Sequence, residues 1–293
     1  MARSFIAVLA LVLLVAIAVA GASSPAGAQW FKYPTPGAPR TANGEIDLSA
    51  ATPRLANGKP DLSGVWMTGD PPCGGGVGGP TELSKLKQLA PPSQKCPIRG
   101  ATMSRQGVNM GVDLPGGLPY QPWLATLVRE RTANLAIDDP HIKCLPDTFL
   151  RAYGLPHYLK FVHTPNLLVM LNETNGVYRQ VFTDGRPLPK DPNPSWQGYS
   201  SATWSGDTLV VDTIGFRDDL WIDWDGSVIT EDAKLRERIR RPDFGHLEIE
   251  VTVDDPKAYT KPWTVTLRQQ FAPDTELIDE ICAENEKFSK HLR

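Results

Sequence analysis

From Tyr158 onward the chain consists of short runs rich in β-branched and aromatic residues, with strong turn residues between them. Runs of this length and composition, bounded by Gly, Pro, Asn and Asp, are typical of β-strands joined by tight turns. Nine such strands are predicted: Tyr158–His163, Leu167–Glu173, Val177–Thr183, Tyr199–Trp204, Thr208–Phe216, Lys234–Arg240, His246–Asp254, Trp263–Phe271 and Glu276–Ala283. A tenth is expected over Asp61–Met67.

This pattern predicts a mainly β fold. Short strands at regular spacing form either a closed barrel or two packed sheets. We expect a single antiparallel barrel of about 8–10 strands, and a β-sandwich is the alternative.

The stretch Val177–Phe216 is the centre of the predicted sheet. Gly206-Asp207 lies between two of its strands and favours a hairpin. The connection Asp184–Gln197 contains four prolines, which exclude strand and helix interiors. We therefore expect this connection to lie over the surface or across the mouth of the sheet, where it is a candidate lid.

Before the barrel the sequence predicts an arm and one helix. Residues 29–59 lack apolar periodicity and are expected to form an extended arm, so that the barrel domain covers residues 60–293. Within that domain Gln121–Ala136 places its apolar residues at helical spacing and predicts the one α-helix.

Residues 1–28 have the form of a signal peptide. Arg3 precedes a long apolar run, and Ala26-Gly27-Ala28 supplies small residues for cleavage after Ala28. An uncleaved membrane anchor is the alternative. We expect a periplasmic or extracellular protein with no membrane association after cleavage.

Four cysteines are expected to form two disulfides in that oxidising compartment. Three pairings are possible, of which we favour Cys73 with Cys96 and Cys144 with Cys282. The cysteines and histidines lack the paired spacing of a zinc site, so no metal is expected.

The charge balance argues against nucleic acid as a partner. Loss of Arg3 with the leader changes the net charge from −3 to −4, with acids and bases interspersed. Fingerprints for nucleotides, phosphate and zinc proteases are absent, and no cofactor is expected. A small molecule is the expected partner, and the oligomeric state is open.

The predicted hairpin Lys234–Arg240/His246–Asp254 supplies two candidate catalytic residues. A five-residue turn would pair Arg240 with His246, Arg238 with Glu248, Arg236 with Glu250 and Lys234 with Thr252. Glu237 then faces the apolar interior, where a carboxylate must be paired or act as an acid or base. His246 at the strand start is a possible general base, and a structural role is the alternative for both.

Further candidates lie around the predicted lid. Arg179 and Arg186 are candidates for stabilising an anion, and an ion pair of Arg179 with Asp212 on a neighbouring strand is the alternative. Tyr199 is a candidate hydrogen-bond donor in catalysis. Trp196 and Trp221, both on long loops, are candidates for stacking on a ligand, with core packing as the alternative.

Several phrases carry a resemblance to known proteins. They are PDLSGVW at Pro60–Trp66, LPYQPW at Leu118–Trp123, DDPHIKCLP at Asp138–Pro146, FTDGRPLPKDPNPSWQGYS at Phe182–Ser200, WSGDTLVVDTIGF at Trp204–Phe216 and RRPDFGHLEIEVTVDDPKAYTKPWT at Arg240–Thr264. They resemble a large family of secreted bacterial proteins whose activity is not established. The Gly64-x-Trp66 strand is similar to the entry strand of lipocalin-like barrels, which implies either a carrier or a lyase or isomerase.

The sequence thus leaves three functions open. The first is an enzyme without organic cofactor that acts on a small aromatic, glycosidic or lipidic molecule by lyase, isomerase or hydrolase chemistry. The second is a lipocalin-like protein that binds such a molecule without transforming it. The third is a structural protein of the cell envelope.

Overall fold

The structure is a computed structural model and describes residues 33–69, 104–278 and 280–282. The predicted signal peptide and the predicted Cys73–Cys96 pair lie outside these residues. The described strands are β1 Gly64–Thr68, β2 Leu159–Thr164, β3 Leu167–Asn172, β4 Tyr178–Phe182, β5 Tyr199–Ser205, β6 Thr208–Ile214, β7 Leu220–Trp221, β8 Val228–Ile229, β9 Lys234–Arg240, β10 His246–Asp254 and β11 Trp263–Phe271. The described helices are α1 Arg105–Val108, α2 Pro122–Ala133 and α3 Phe149–Ala152.

Nine of these strands form one closed barrel, which confirms the predicted fold class. Their order is β1-β11-β10-β9-β6-β5-β4-β3-β2, and β1 closes the ring by pairing with both β11 and β2. Trp66 at the centre of β1 lies opposite Phe271 on one side and Leu159 on the other. The two remaining strands, β7 and β8, form a small separate sheet.

One pairing differs from the predicted antiparallel arrangement. β4 and β5 run parallel, and they pair at Val181 with Ser200 and at Phe182 with Ser201. The proline-rich connection between them is long enough to carry the chain back before β5 begins, which a hairpin turn cannot do. The barrel is therefore mixed, and β4 pairs with β5 along only part of its length.

The predicted register of the β9–β10 hairpin is wrong by two residues. Arg240 lies opposite Glu248, and Arg238 lies opposite Glu250. The turn is longer than predicted because Arg241 is buried and donates to the carbonyls of Asp61 and Ser63. This contact draws the chain inward after β9 and delays the start of pairing.

Side chains alternate between the barrel interior and the outer face, as the strand pattern predicts. Along β9, Leu235, Glu237 and Ile239 are buried, while the residues between them are exposed. Each buried aliphatic side chain contributes about 1.5–3 kcal/mol, and together they form one apolar core. Tyr153, directly after α3, also reaches the interior, where its carbonyl accepts a hydrogen bond from Gln269.

The predicted helix is present in shorter form as α2. Its N-cap is Gln121 and Pro122 is its first residue, a position where proline is well tolerated. It ends at Ala133 because Leu135 and Ala136 adopt positive φ angles of 57° and 54°. Within the described residues, no helix combines the length and apolar character that a membrane span requires.

The last predicted strand, Glu276–Ala283, does not form in residues 276–278 and 280–282. Glu280 makes a single parallel bridge with Thr174. Asp274 has a φ of 53°, so the backbone turns away from strand geometry just before this segment. The predicted Cys144–Cys282 disulfide is confirmed, and it fixes the segment beside the end of β3.

The described part of the arm, residues 33–59, holds two copies of one turn. PRTANGEIDLS begins at Pro39 and PRLANGKPDLS begins at Pro53. In each copy the arginine donates to the glycine carbonyl four residues later, at 2.8 Å. Arg40 then pairs with Asp274 and Arg54 with Asp207, so each copy binds a turn of the barrel.

Candidate functional site

A cleft of about 500 Å³ opens in the barrel wall where β4 and β5 diverge. Because the two strands pair only at their Val181/Ser200 and Phe182/Ser201 positions, the preceding residues separate and leave a gap. The residues that line the cleft are Pro146, Asn175–Phe182 without Val181, and Ser195–Ser200. The volume lies within the range of small-molecule sites, roughly 300–1,000 Å³.

Aromatic side chains form much of the cleft wall. Phe182 and Tyr199 stack with ring centroids 5.3 Å apart. Tyr178 contributes a third ring, which is 60% exposed. Arg186 covers the Phe182 ring, with its Cζ atom 3.9 Å from the centroid. The wall therefore offers one exposed ring, one stacked aromatic pair and one cation at its edge.

Trp196 also lines the cleft, and hydrogen bonds to α3 and the loop before it hold its segment in place. Its neighbour Gln197 accepts from the backbone N–H of Phe149 at 2.9 Å and donates to the Asp147 carbonyl at 2.7 Å. Arg217 lies over the Trp196 ring at 4.8 Å from the centroid. These residues end the connection that the sequence predicts to be a lid, and they form a fixed side of the cleft.

Gly198 allows this wall to lie close to β6. Its φ is 64°, and an added Cβ atom would lie 2.8 Å from the carbonyl oxygen of Ile214. Any other residue would therefore meet both backbone strain and a steric clash. The cleft geometry depends on glycine at this position.

A buried ionic network forms the floor of the cleft. Arg179 of β4 is 4% exposed and pairs through both terminal nitrogens with Glu237 of β9, which is 2% exposed. The remaining Arg179 donors reach Ser200 at 3.1 Å, Thr213 at 2.9 Å and the Tyr153 hydroxyl at 3.4 Å. Tyr153 itself donates to Glu237 at 3.0 Å.

The surroundings of the network fix the protonation states of Arg179 and Tyr153. Burial alone would lower the pKa of Arg179, but the facing Glu237 and Tyr153 raise it above its usual value. Burial also raises the pKa of Tyr153 well above its usual value, and the charge of Glu237 adds to this effect. The arginine therefore stays charged and the phenol stays neutral. In these states both donate hydrogen bonds to Glu237, and the network links β4, β9 and the residue after α3.

The structure brings some of the predicted site residues together and separates others. Arg179, Tyr199 and Trp196 line the cleft, and Glu237 lies beneath it against Arg179. His246 is elsewhere: its imidazole is about half exposed, and its Nδ1 atom lies 2.7 Å from Asp243. Asp212 pairs with Arg236, so it is not the partner of Arg179.

Arg186 and Trp221 also differ in position. Arg186 lies at the cleft edge, where it forms an ion pair with Asp184, and this carboxylate together with Tyr199 raises the pKa of Arg186. Trp221 is buried in β7 beneath Arg131, beside a different hollow of about 420 Å³. It therefore cannot contact the same ligand as Trp196.

A second cluster of polar side chains lies outside the sites predicted from the sequence. His157, Glu173 and Glu280 each offer one nitrogen or oxygen atom, and these atoms lie within 4.8 Å of one another. They come from three distant segments, so no local spacing rule detects them. Only the Cys144–Cys282 pairing, which brings the C-terminal segment to this region, could have suggested their proximity.

Comparison of the chain with protein-family models, curated proteins and solved structures finds no match in any of the three. Membership of the secreted bacterial family therefore stays a prediction.

Proposed function

We propose that this protein binds a small molecule carrying an aromatic or sugar ring in the cleft between β4 and β5, without transforming it. The observation that carries the proposal is the convergence of four aromatic side chains on one cleft of about 500 Å³. These are Tyr178, Phe182, Trp196 and Tyr199. Ring faces stack on planar aromatics and on sugar rings, and such contacts add about 0.5–1.5 kcal/mol each beyond area burial.

The fixed walls favour tight binding. Gln197 joins its loop to the backbone near α3 through two hydrogen bonds, and Phe182 and Tyr199 are already stacked. A ligand that enters a cleft with ordered walls loses less free energy to side-chain ordering. Arg186 at the edge supports a ligand that carries a polar or anionic substituent on its ring.

The proposal favours binding over acid–base catalysis because the candidate proton-transfer groups are engaged or distant. Glu237 accepts from Arg179 and Tyr153 and lies under the cleft. Proton transfer by this carboxylate would require the buried ion pair to break, which is costly. His246 lies outside the cleft, against Asp243.

We also propose that the protein acts in the periplasm or outside the cell after cleavage following Ala28. The Cys144–Cys282 disulfide supports an oxidising compartment.

The proposal is tested by screening the purified protein against phenolic acids, oligosaccharides and lipids, using thermal shift and tryptophan fluorescence. Any ligand found is then titrated against two matched variants. Tyr178→Ala removes an exposed ring from the cleft, and Tyr33→Ala removes a similarly exposed ring from the arm.

We expect at least one ring compound to bind, with its affinity reduced about tenfold by Tyr178→Ala and unchanged by Tyr33→Ala. Mass spectrometry of the ligand after prolonged incubation should recover it intact. If the ligand is consumed, the result supports catalysis in place of binding alone. Equal affinity in all three proteins would place the binding site elsewhere.

A further inference from the structure

We propose that His157, Glu173 and Glu280 form a binding site for one divalent transition-metal ion, with Zn²⁺ as the best-matched ion. The site lies at the end of β3, where the C-terminal segment crosses it. It is separate from the proposed ring-binding cleft and does not depend on the function proposed for that cleft.

The donor atoms already converge. The Nδ1 atom of His157 lies 2.9 Å from a carboxylate oxygen of Glu280 and 3.8 Å from one of Glu173. Zinc bonds of about 2.0–2.2 Å in tetrahedral geometry place ligand atoms about 3.3 Å apart. All three donor atoms lie within 4.8 Å of one another, so side-chain shifts of up to about 1.5 Å would bring them to coordination distance.

Glu173 supplies independent support for a bound cation. The residue is 8% exposed, and its Oε2 atom is buried with no hydrogen-bond partner among the described residues. A buried carboxylate oxygen without a partner carries a desolvation cost that the native fold must offset. Oε1 of the same carboxylate is the oxygen 3.8 Å from His157, so a cation bound there would neutralise this buried carboxylate as a whole.

The chemistry of the ligands fits Zn²⁺. Imidazole nitrogen favours zinc and other first-row transition metals over calcium and magnesium, and two carboxylates neutralise the charge of a divalent ion. Three protein ligands leave a fourth position for water. The ring of His141 lies close by, with its centroid 6.0 Å from that of His157.

The fold places the third ligand by covalent and hydrogen-bonded contacts. The N–H of Glu280 donates to the Glu173 carbonyl, and the N–H of Asn175 donates to the Glu280 carbonyl. Two residues later, Cys282 is joined to Cys144. The site thus connects the C-terminal segment to the barrel and to the loop that carries His157.

The experiment titrates the chelator-treated protein with Zn²⁺ by calorimetry and measures metal content after dialysis. The variants are His157→Ala, Glu173→Gln and Glu280→Gln. Glu280 is about half exposed, so Glu280→Gln leaves folding intact even if the other two variants are unstable. Matched controls are His246→Ala, an exposed histidine beside a carboxylate, and Glu276→Gln, a nearby glutamate paired with Lys160.

We expect one Zn²⁺ per chain, a rise in melting temperature with Zn²⁺, and a loss of affinity of at least about tenfold in each of the three variants. The two controls should keep the wild-type affinity. Absence of Zn²⁺ binding by the wild-type protein would overturn the proposal. If Glu280→Gln binds Zn²⁺ with wild-type affinity, the proposal is also overturned, because Glu280 would then not be a ligand of the ion.

Discussion

Arg179 and Glu237 form a buried ion pair that links β4 to β9, with β5 and β6 between them. Tyr153, Ser200 and Thr213 complete the hydrogen bonds of the arginine. The pair lies under the proposed cleft and shapes its floor. A buried pair of this kind is sensitive to the loss of one partner, because the remaining charge is left in a medium of low polarity.

Glu237→Gln is expected to lower the free energy of unfolding by about 3–5 kcal/mol, since it leaves Arg179 charged and buried. The double variant Arg179→Met/Glu237→Leu should lose less free energy of unfolding, because it leaves neither charge of the pair buried. Urea unfolding of both variants and the wild type measures the difference. A double variant less stable than Glu237→Gln would contradict this account of the pair.

Gly198→Ala is expected to weaken ligand binding and to lower stability by about 1–3 kcal/mol, because its φ is 64° and its Cβ would meet the Ile214 carbonyl. Gly185→Ala is the matched control: its φ is 78°, and no atom lies within 4 Å of an added Cβ. Thermal unfolding compares the two. Equal losses in the two variants would show that the close contact with β6 is unimportant.

The buried carboxyl group of Asp225 is expected to make the free energy of unfolding depend on pH. It is buried near Asp223, and burial, followed by the charge of Asp223, raises the pKa of Asp225 to about 7. The folded protein then keeps a proton that the unfolded chain releases near pH 4. Because the unfolded state binds fewer protons between about pH 4 and about pH 7, this group lowers stability as pH rises through that window.

Asp225→Asn is therefore expected to raise the melting temperature relative to wild type more at about pH 8 than at about pH 5. The amide oxygen can still accept the hydrogen bond from Asn109, which measures 2.9 Å in the wild type. At about pH 8 the gain in free energy of unfolding is at most about 4 kcal/mol, which is the cost of raising one carboxyl pKa from about 4 to about 7. If the variant and the wild type differ in melting temperature by the same amount at both pH values, Asp225 is not the titrating group.

The Cys144–Cys282 disulfide is expected to stabilise the fold by about 2–4 kcal/mol, because it closes a loop with a sequence separation of 138. The test variant is Cys144→Ser/Cys282→Ser, which leaves Cys73 and Cys96 untouched, whereas a reducing agent would act on every disulfide. Calorimetry under non-reducing conditions should show a lower melting temperature. An unchanged value would mean that the C-terminal segment contributes nothing to cooperative unfolding.

The sequence predicted the barrel well because period-two alternation and turn residues are local signals. Lys234–Arg240 and His246–Asp254 have the predicted bounds. Their register depended on a distant contact, the burial of Arg241 against Asp61 and Ser63, and no local pattern contains it. The parallel pairing of β4 with β5 also follows from the path of a long connection, which composition does not determine.

The candidate site was accessible from sequence only in part. Two of the predicted residues, Arg186 and Trp196, lie in the proline-rich connection, and Arg179 and Tyr199 lie on either side of it. Their closeness in the chain indicated a shared location. Glu237 was predicted to face the interior, but its partner is Arg179 across two strands. His246 and Trp221 were grouped with this site only by chemistry, and the fold places both elsewhere.

The repeated turn of the arm shows another difference between pattern and structure. Pro39 to Ser49 and Pro53 to Ser63 share most of their residues. Composition alone predicts an extended arm, whereas the spacing of Arg40 to Gly44, and of Arg54 to Gly58, allows each turn to close on itself.

The most direct test of the proposed function is a crystal structure of the protein with the tightest ligand from the screen. The account predicts a ring in the cleft between β4 and β5, in van der Waals contact with Tyr178, Trp196 or the stacked pair Phe182 and Tyr199, with the Arg179–Glu237 pair intact beneath it. A ligand bound in the hollow beside Trp221, or on the outer face near His246, would contradict the account.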